Sequence, residues 1–311
     1  MVVPTYYREF RCLAGACRHN CCIGWEIDID EETLARYRAV PGEAGERLRR
    51  QITGDPPHFV LDNEERCPCL TGENLCGLIL TLGEDSLCQI CRDRPRYRNF
   101  WPGQTEAGLG ASCEAAARLI LSQETPLTLV PDGSALTDGG ARELYALRAR
   151  LIAAAYDASR TPEAAEDEVL RLADAVLPEK TAREWAAFYL GLERLDVNWT
   201  DVLREVAEGG ADAGFAAFDR HMAARRMEYR HMLAYFLYRH VPEALDDGDV
   251  ASKAAFAVLS CRFLRAVGAV WYAKNGAFSF DDQAELFRMY SAEVEYSEEN
   301  LDALYDALYC V

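Results

Sequence analysis

The chain has 311 residues, half of them apolar and 27% charged, enough apolar material for the core of one large domain or two ordinary ones, which excludes wholesale disorder. Acidic residues outnumber basic ones by 51 to 33, for a net charge of −18. A sequence-independent grip on nucleic acid needs a positive surface to displace counterions, so no nucleic-acid partner is expected. Uninterrupted apolar runs fall far short of the ~20 residues that span a bilayer. Arg8 and Glu9 interrupt the start of the chain where a signal peptide would be apolar. The expectation is a cytoplasmic protein with no transmembrane segment.

In chain order, Trp25-Glu26-Ile27-Asp28-Ile29 alternates apolar and polar and predicts a short strand. Asp30 predicts the cap of a short helix with Glu31 and Glu32 in its first turn, ended by Pro41-Gly42. Asp55-Pro56-Pro57 predicts a turn followed by extended chain. Between Cys67 and Cys113 glycines and prolines recur too often for a long amphipathic face. Pro126–Gly140 reads as a linker. Beyond it the pattern turns helical. Thr161-Pro162 opens one helix and Thr181 with Glu184 forms a capping box. Phe215 to Leu237 recurs near helical spacing until Pro242, Val258 to Trp271 forms a buried stripe, and Ser297 caps a last helix with Leu301, Leu304 and Leu308 inward. The expected fold class is mainly α with little β: an irregular cysteine-rich metal-binding region over 1–125, then a helical bundle over 138–311.

Ten of the twelve cysteines precede residue 114. Clustered thiols in a reducing compartment point to metal ligation or redox chemistry rather than disulfides. Their spacing is C-x4-C-x3-C-C, C-x-C-x6-C, C-x2-C and a last Cys113. That is not a zinc-finger pattern, and an all-thiolate set suits either zinc or an iron–sulfur cluster. Adjacent side chains diverge, so Cys21 and Cys22 need not serve one metal atom. The isolated Cys261 and Cys310 read as small buried hydrophobes.

The run Tyr6-Tyr7-x-x-Phe10-x-Cys12-x4-Cys17-x3-Cys21-Cys22-x-Gly24-Trp25-x-Ile27-x-Ile29-Asp30 resembles the start of the flagellin lysine-N-methylase family. Cys67-Pro68-x-Leu70, Leu75-Cys76 and Cys91-x3-Pro95 resemble the cysteine-rich zinc- or iron-chelating domain that this family contains. Met227 to Arg230, Tyr235 to His240 and Ser297 to Leu301 resemble its later motifs, so the likeness runs nearly the whole chain. It implies methyl transfer from S-adenosylmethionine to lysine side chains of flagellin or a similar exported protein, dependent on a 4Fe–4S cluster. The thiols that match the family pattern are Cys12, Cys17, Cys21, Cys22, Cys67, Cys76, Cys91 and Cys113. Cys69 and Cys88 read as extras. Eight candidates exceed the four that one cubane takes, leaving open a second metal or thiols that only pack. The alternative is a non-enzymatic zinc- or iron–sulfur-binding module that docks a protein partner.

Neither a full Gly-x-Gly-x-x-Gly nucleotide fingerprint nor a C-x3-C-x2-C radical loop is present in the sequence. Arg92, Arg94, Arg96 and Arg98 follow Cys91 at alternate positions. Arg94 and Arg96 are candidates for holding the donor's carboxylate; the run could also counter a cluster's negative charge or bridge to acidic helices. Lysine needs its proton removed before it can attack, at a cost of roughly 4.6 kcal/mol at pH 7. By family position, Glu228, Tyr235, Tyr238 and His240 are candidate bases.

Overall fold

Helix accounts for 60% of the chain and strand for 9%, in agreement with a mainly α class. The computed structural model describes residues 1–209 and 215–309, and Cys310 lies outside them. Two compact units divide the chain. One is Arg11–Tyr97 with Cys113–Ala115; the other is Met1–Phe10, Arg98–Ser112 and Ala116 onward. Three stretches expected within the cysteine-rich region, 1–10, 98–112 and 116–125, therefore belong to the helical unit. The reason is pairing at long range. Strand β1 (Val3–Pro4) pairs antiparallel with Leu129–Val130, and Val2 bridges to Glu106.

The thiol-rich unit has short elements. In α1 (Glu31–Ala39) the Asp30 carboxylate accepts the Thr33 N–H at 2.9 Å, as predicted, and its other oxygen accepts the Gln89 N–H at 2.9 Å. Helix α2 (Gly42–Arg50) leads into β2 (Ile52–Thr53), which turns at the prolines and pairs with β3 (His58–Phe59). The strand expected over Trp25–Ile29 is not formed; only Asp28 makes a bridge, to His58. The alternation still buries Ile27 and Ile29, because Ile29 N–H and Ile27 C=O bond the β3 segment at Pro57 and Phe59. Helices α3 (Gly77–Leu82) and α4 (Gln89–Asp93) complete the unit.

Strand β4 (Arg96–Trp101) and β5 (Gln104–Leu109) form a hairpin that the sequence reading did not foresee. Its turn is Pro102-Gly103. Gly103 has φ +84°, and a Cβ there would lie 2.5 Å from the Ala135 carbonyl oxygen, so glycine is required. Helix α5 (Glu114–Leu121) buries Ala116, Ala117, Ile120 and Leu121. The expected linker is partly ordered: it holds β6 (Leu129–Val130) and ends at Asp138, which caps α6 (Gly139–Ala155).

The bundle continues with α7 (Pro162–Leu172), α8 (Ala182–Leu190), α9 (Val197–Ala207), α10 (Phe215–His221), α11 (Arg226–His240), α12 (Ala244–Asp247), α13 (Val250–Asn275), α14 (Phe280–Tyr290) and α15 (Glu298–Tyr309). Thr161 caps α7, the Thr181–Glu184 box caps α8, and Ser297 accepts the Asn300 N–H at 3.3 Å. The centre is α13, packed against α7, α9, α10, α11, α14 and α15. Its Gly268 lets Phe218 of α10 approach; a Cβ would meet that ring at 2.7 Å. Tyr189, Trp199, Phe263 and Tyr290 meet around it, mostly edge to face. Against expectation, α13 is long and apolar enough by length and composition to cross a membrane, but 83% of its most apolar window is buried inside the protein, the environment that an all-round apolar core helix needs. Cys261 lies there, fully buried.

Candidate functional site

The thiol-rich unit builds its interior from Ile27, Ile29, Tyr37, Leu48, Phe59, Leu78, Cys67 and Cys88, with Cys22, Cys69, Cys76 and Cys91 packed against them. The thiols fall into hydrogen-bonded pairs: Cys21 with Cys22, Cys67 with Cys69, and Cys88 with Cys91. Within each pair one sulfur becomes the better acceptor. The Cys22 contact pulls Cys21 down to about 6, the Cys91 contact pulls Cys88 down to about 7, and Cys69 lowers Cys67. Cys76 is close enough to Cys22 and Cys69 to raise both. Cys69 and Cys88, read as extras, are thus members of the assembly. Their signal was in the spacing: C-x-C and C-x2-C bring two sulfurs together at a turn and at the start of α4.

Cys17, Cys113 and Glu114 form a second group. Burial, with Glu114, Cys113 and Cys21 nearby, pushes the Cys17 thiol up to about 11. Glu114 accepts the Arg18 N–H and guanidinium, both at 3.0 Å. Cys12 is exposed, its sulfur accepting the Ala14 N–H at 3.3 Å. Arg94 stacks over Trp25, 4.5 Å from the ring centroid, and hydrogen-bonds Cys21. Arg96 donates to the Arg92 carbonyl and Arg92 to those of Asp85 and Leu87. Among the described residues, the one set of three His, Cys, Asp or Glu ligand atoms within 4.8 Å of one another is exposed Glu26 and Asp28 with His58. A zinc at about 2.3 Å from each sulfur would draw four sulfurs to within about 3.8 Å of one another. The hydrogen-bonded pairs approach that spacing, and a multi-iron cluster would take each thiolate on an iron of its own, so the thiol set fits either group.

In the helical unit, the family-position candidates enter a buried polar network. His240 lies 2.7 Å from Glu295 and 2.9 Å from Glu243, and Tyr305 reaches Glu243 at 2.8 Å. Tyr235 donates to Glu295 at 3.0 Å and accepts from the Ala111 N–H and Arg239. Glu295 ends a π-helical turn, Ser291–Glu295, which aims it back at α11. Tyr238 donates to the Ala107 carbonyl, and Glu228 is held bidentately by Arg225. Each of these groups is already partnered inside the protein.

The network makes stability depend on pH. Burial alone would lower His240, but its hydrogen bonds to Glu243 and Glu295 outweigh that and raise it. Burial is likewise outweighed at both carboxylates, which Arg239 and His240 lower in Glu295 and His240 lowers in Glu243. A raised imidazolium contributes fully below its unfolded value, about 6.5, and loses its contribution as pH rises through the folded value; lowered carboxylates contribute fully above about 4.5. Melting temperature should therefore peak between about pH 4.5 and 6.5 from this network and decline toward alkaline pH. In His240→Gln the alkaline decline should flatten; an unchanged slope would remove His240 as its source.

A small cleft with room for about one water lies in the same unit and is lined by Thr5, Tyr6, Gln123, Tyr156, His231 and Tyr235 among others. His231 sits 2.7 Å from the Tyr156 hydroxyl and 2.7 Å from the Gln123 carbonyl. Burial lowers its imidazole below the usual range. Sequence reasoning missed this trio because Tyr156 caps the end of α6, His231 lies on α11 and Gln123 follows α5.

A family model described as the FliB lysine N-methylase C-terminal domain matches residues 152–309. The chain is 27% identical to the lysine-N-methylase of Salmonella typhimurium over 149 residues, 43% of this chain and 34% of that protein. It is 28% identical to that of Salmonella choleraesuis over the same length. The flagellar biosynthetic protein FliU of Salmonella muenchen is 25% identical over 138 residues, 40% of this chain and 79% of that protein. The chain spans about a third of the length of the curated lysine-N-methylases it matches. No solved structure matches.

Proposed function

The chain belongs to the family of the FliB lysine N-methylase C-terminal domain, and on that premise we propose that it is a cytoplasmic methyltransferase. It transfers methyl groups from S-adenosylmethionine to lysine side chains of flagellin or a similar exported protein, and depends on an iron–sulfur cluster. The observation that carries the cluster reading is the packing of Cys22, Cys67, Cys69, Cys76, Cys88 and Cys91 into one interior, with Cys21 hydrogen-bonded to Cys22 at its edge. The ligands come from this set, and Arg94 on Cys21 offsets their charge. The donor's carboxylate is assigned to Arg94 and Arg96, whose planar forks match it. A bound 4Fe–4S cluster would offer an open iron to the donor's amino group, leaving its carboxylate to the two arginines.

The test is anaerobic incubation of the iron- and sulfide-loaded protein with methyl-labelled S-adenosylmethionine and flagellin, read by mass spectrometry. Label on lysine is expected. Colourless protein with stoichiometric zinc and no transfer would favour the non-enzymatic docking module. The thiols should also sort by substitution. Cys88→Ala and Cys91→Ala should each lose bound iron, whereas Cys12→Ala and Cys261→Ala keep it, the latter destabilised by about 1 kcal/mol or less if it only packs. Full iron content in both Cys88→Ala and Cys91→Ala would remove that pair from the ligand set.

A further inference from the structure

The extended segment Trp25–Ile29 turns Ile27 and Ile29 inward, so Glu26 and Asp28 share its outer side. The Phe59 N–H donates to the Ile27 carbonyl at 3.1 Å and the Ile29 N–H to the Pro57 carbonyl at 2.8 Å, which sets Asp28 opposite His58 across an antiparallel bridge. A ring nitrogen of His58 and one oxygen from each of Glu26 and Asp28 lie within 4.8 Å of one another. The ring is held from behind. Its Nδ1 lies 3.0 Å from the Pro56 carbonyl, which can only accept, so the hydrogen sits on Nδ1 and the lone pair on Nε2. Histidines that ligate metals are oriented in this way by a carbonyl. A Cβ at Gly54 would lie 2.3 Å from the ring's Cε1, so glycine is what lets the imidazole lie there. The two carboxylates are left with their charge. Asp30 caps α1, Glu46 pairs with Arg50 and Glu114 with Arg18, but among the described residues no arginine or lysine pairs with Glu26 or Asp28, and the nearest basic group is His58 Nδ1, 3.8 Å from Glu26.

We propose that Glu26, Asp28 and His58 hold a divalent transition-metal ion that clips the Trp25–Ile29 segment to β3. The inference depends neither on methyl transfer nor on what the thiols bind. One imidazole and two carboxylates, with no sulfur among them, make a harder donor set than the thiols, suited to Mn²⁺, Fe²⁺ or Zn²⁺ with water in the remaining positions. An ion at about 2.1 Å from each ligand atom would draw the three to about 3.4 Å of one another, a closure that exposed carboxylates make by turning about their side-chain bonds. Its two positive charges cancel the two carboxylates. The segments it joins share just the two backbone bonds, so the ion fastens a place where the unit's own ladder is shortest.

The test uses the full chain, purified anaerobically with its thiol-bound metal in place, and Mn²⁺ as the probe, because thiolates compete poorly for it. One Mn²⁺ per chain should be taken up, read as loss of the free-ion electron paramagnetic resonance signal. In ring-labelled protein the His58 signals should broaden first among the five histidines. Asp28→Asn and His58→Gln, which keep side-chain size near an exposed edge, should each weaken uptake by more than the roughly tenfold that loss of a mere supporting partner costs. With the ion at about 100 times its dissociation constant, exchange of the Ile29 and Phe59 amides should slow by roughly 100-fold, because an opening that parts the segments also destroys the site. No uptake at millimolar Mn²⁺ overturns the proposal. Uptake that both variants leave unaltered places the ion elsewhere and overturns it too. Uptake lost in the variants, with amide exchange in the unaltered protein insensitive to the ion, overturns the clip.

Discussion

Stripping metal from the thiol-rich unit is expected to unfold it while the helical unit stays folded. The unit's longest helices, α1 and α2, have nine residues each, below the ~12–15 at which even good isolated helices begin to persist in water. Its sheet is a pair of two-residue strands, and its apolar interior is a handful of side chains completed by sulfur. A small core of that kind depends on a staple. Structural metal bound by thiolates supplies about 10–16 kcal/mol in small zinc-binding peptides, as much as the whole stability of an ordinary domain, about 5–15 kcal/mol. After chelation under reducing conditions, hydrogen exchange should lose protection across Arg11–Tyr97 and keep it in α11 and α13. Equal protection of both units in the metal-free protein would show that the metal is not structural.

What the sequence made legible was local. Asp30, Thr161, Thr181 and Ser297 each act within a few residues of themselves, and each cap forms as read. The thiol density likewise marked the segment whose sulfurs pack into one interior, since residues close in sequence remain close in space. Non-local relations were hidden. Nothing in Val2 or Val3 announces pairing with Glu106 and Val130, so the unit boundary was drawn at a plausible linker rather than through the hairpin. Trp25–Ile29 alternates as a strand does, yet its neighbour offers just two backbone bonds, and alternation reports burial rather than pairing. Pro102-Gly103 was a turn signal, but the flanking Arg96–Trp101 and Gln104–Leu109 carry too many polar residues to mark strands. The Tyr156–His231–Gln123 chain and Glu295 opposite His240 need three or more elements to come together, and no spacing rule reaches that far.

Breaking the ion pair between Glu106 and Arg148 should produce the largest single-site loss of stability in the helical unit. Both side chains are fully buried, and their contacts are bidentate at 2.6 and 2.7 Å. The Trp101 indole N–H donates to the same carboxylate at 2.9 Å, and the rings of Trp101, Tyr145 and Tyr238 surround the guanidinium at 4.8–4.9 Å. Glu106→Ala strands a charge that cannot reach water, at a cost of roughly 3–5 kcal/mol. At about 2–4 °C per kcal/mol for a domain of this size, melting should fall by roughly 6–20 °C. Arg148→Lys keeps the charge but loses one arm of the fork and the planar stacking, so it should fall between the two extremes. The double change Glu106→Leu with Arg148→Met removes both charges into apolar groups and should recover most of the loss. Added salt should leave the Glu106→Ala deficit nearly unchanged, since a buried pair is poorly screened, whereas the exposed Arg204–Asp201 pair would weaken. A Glu106→Ala deficit below about 1 kcal/mol, the range of surface pairs, would mean that water reaches the site and that the pair is not sealed between the β4–β5 hairpin and α6.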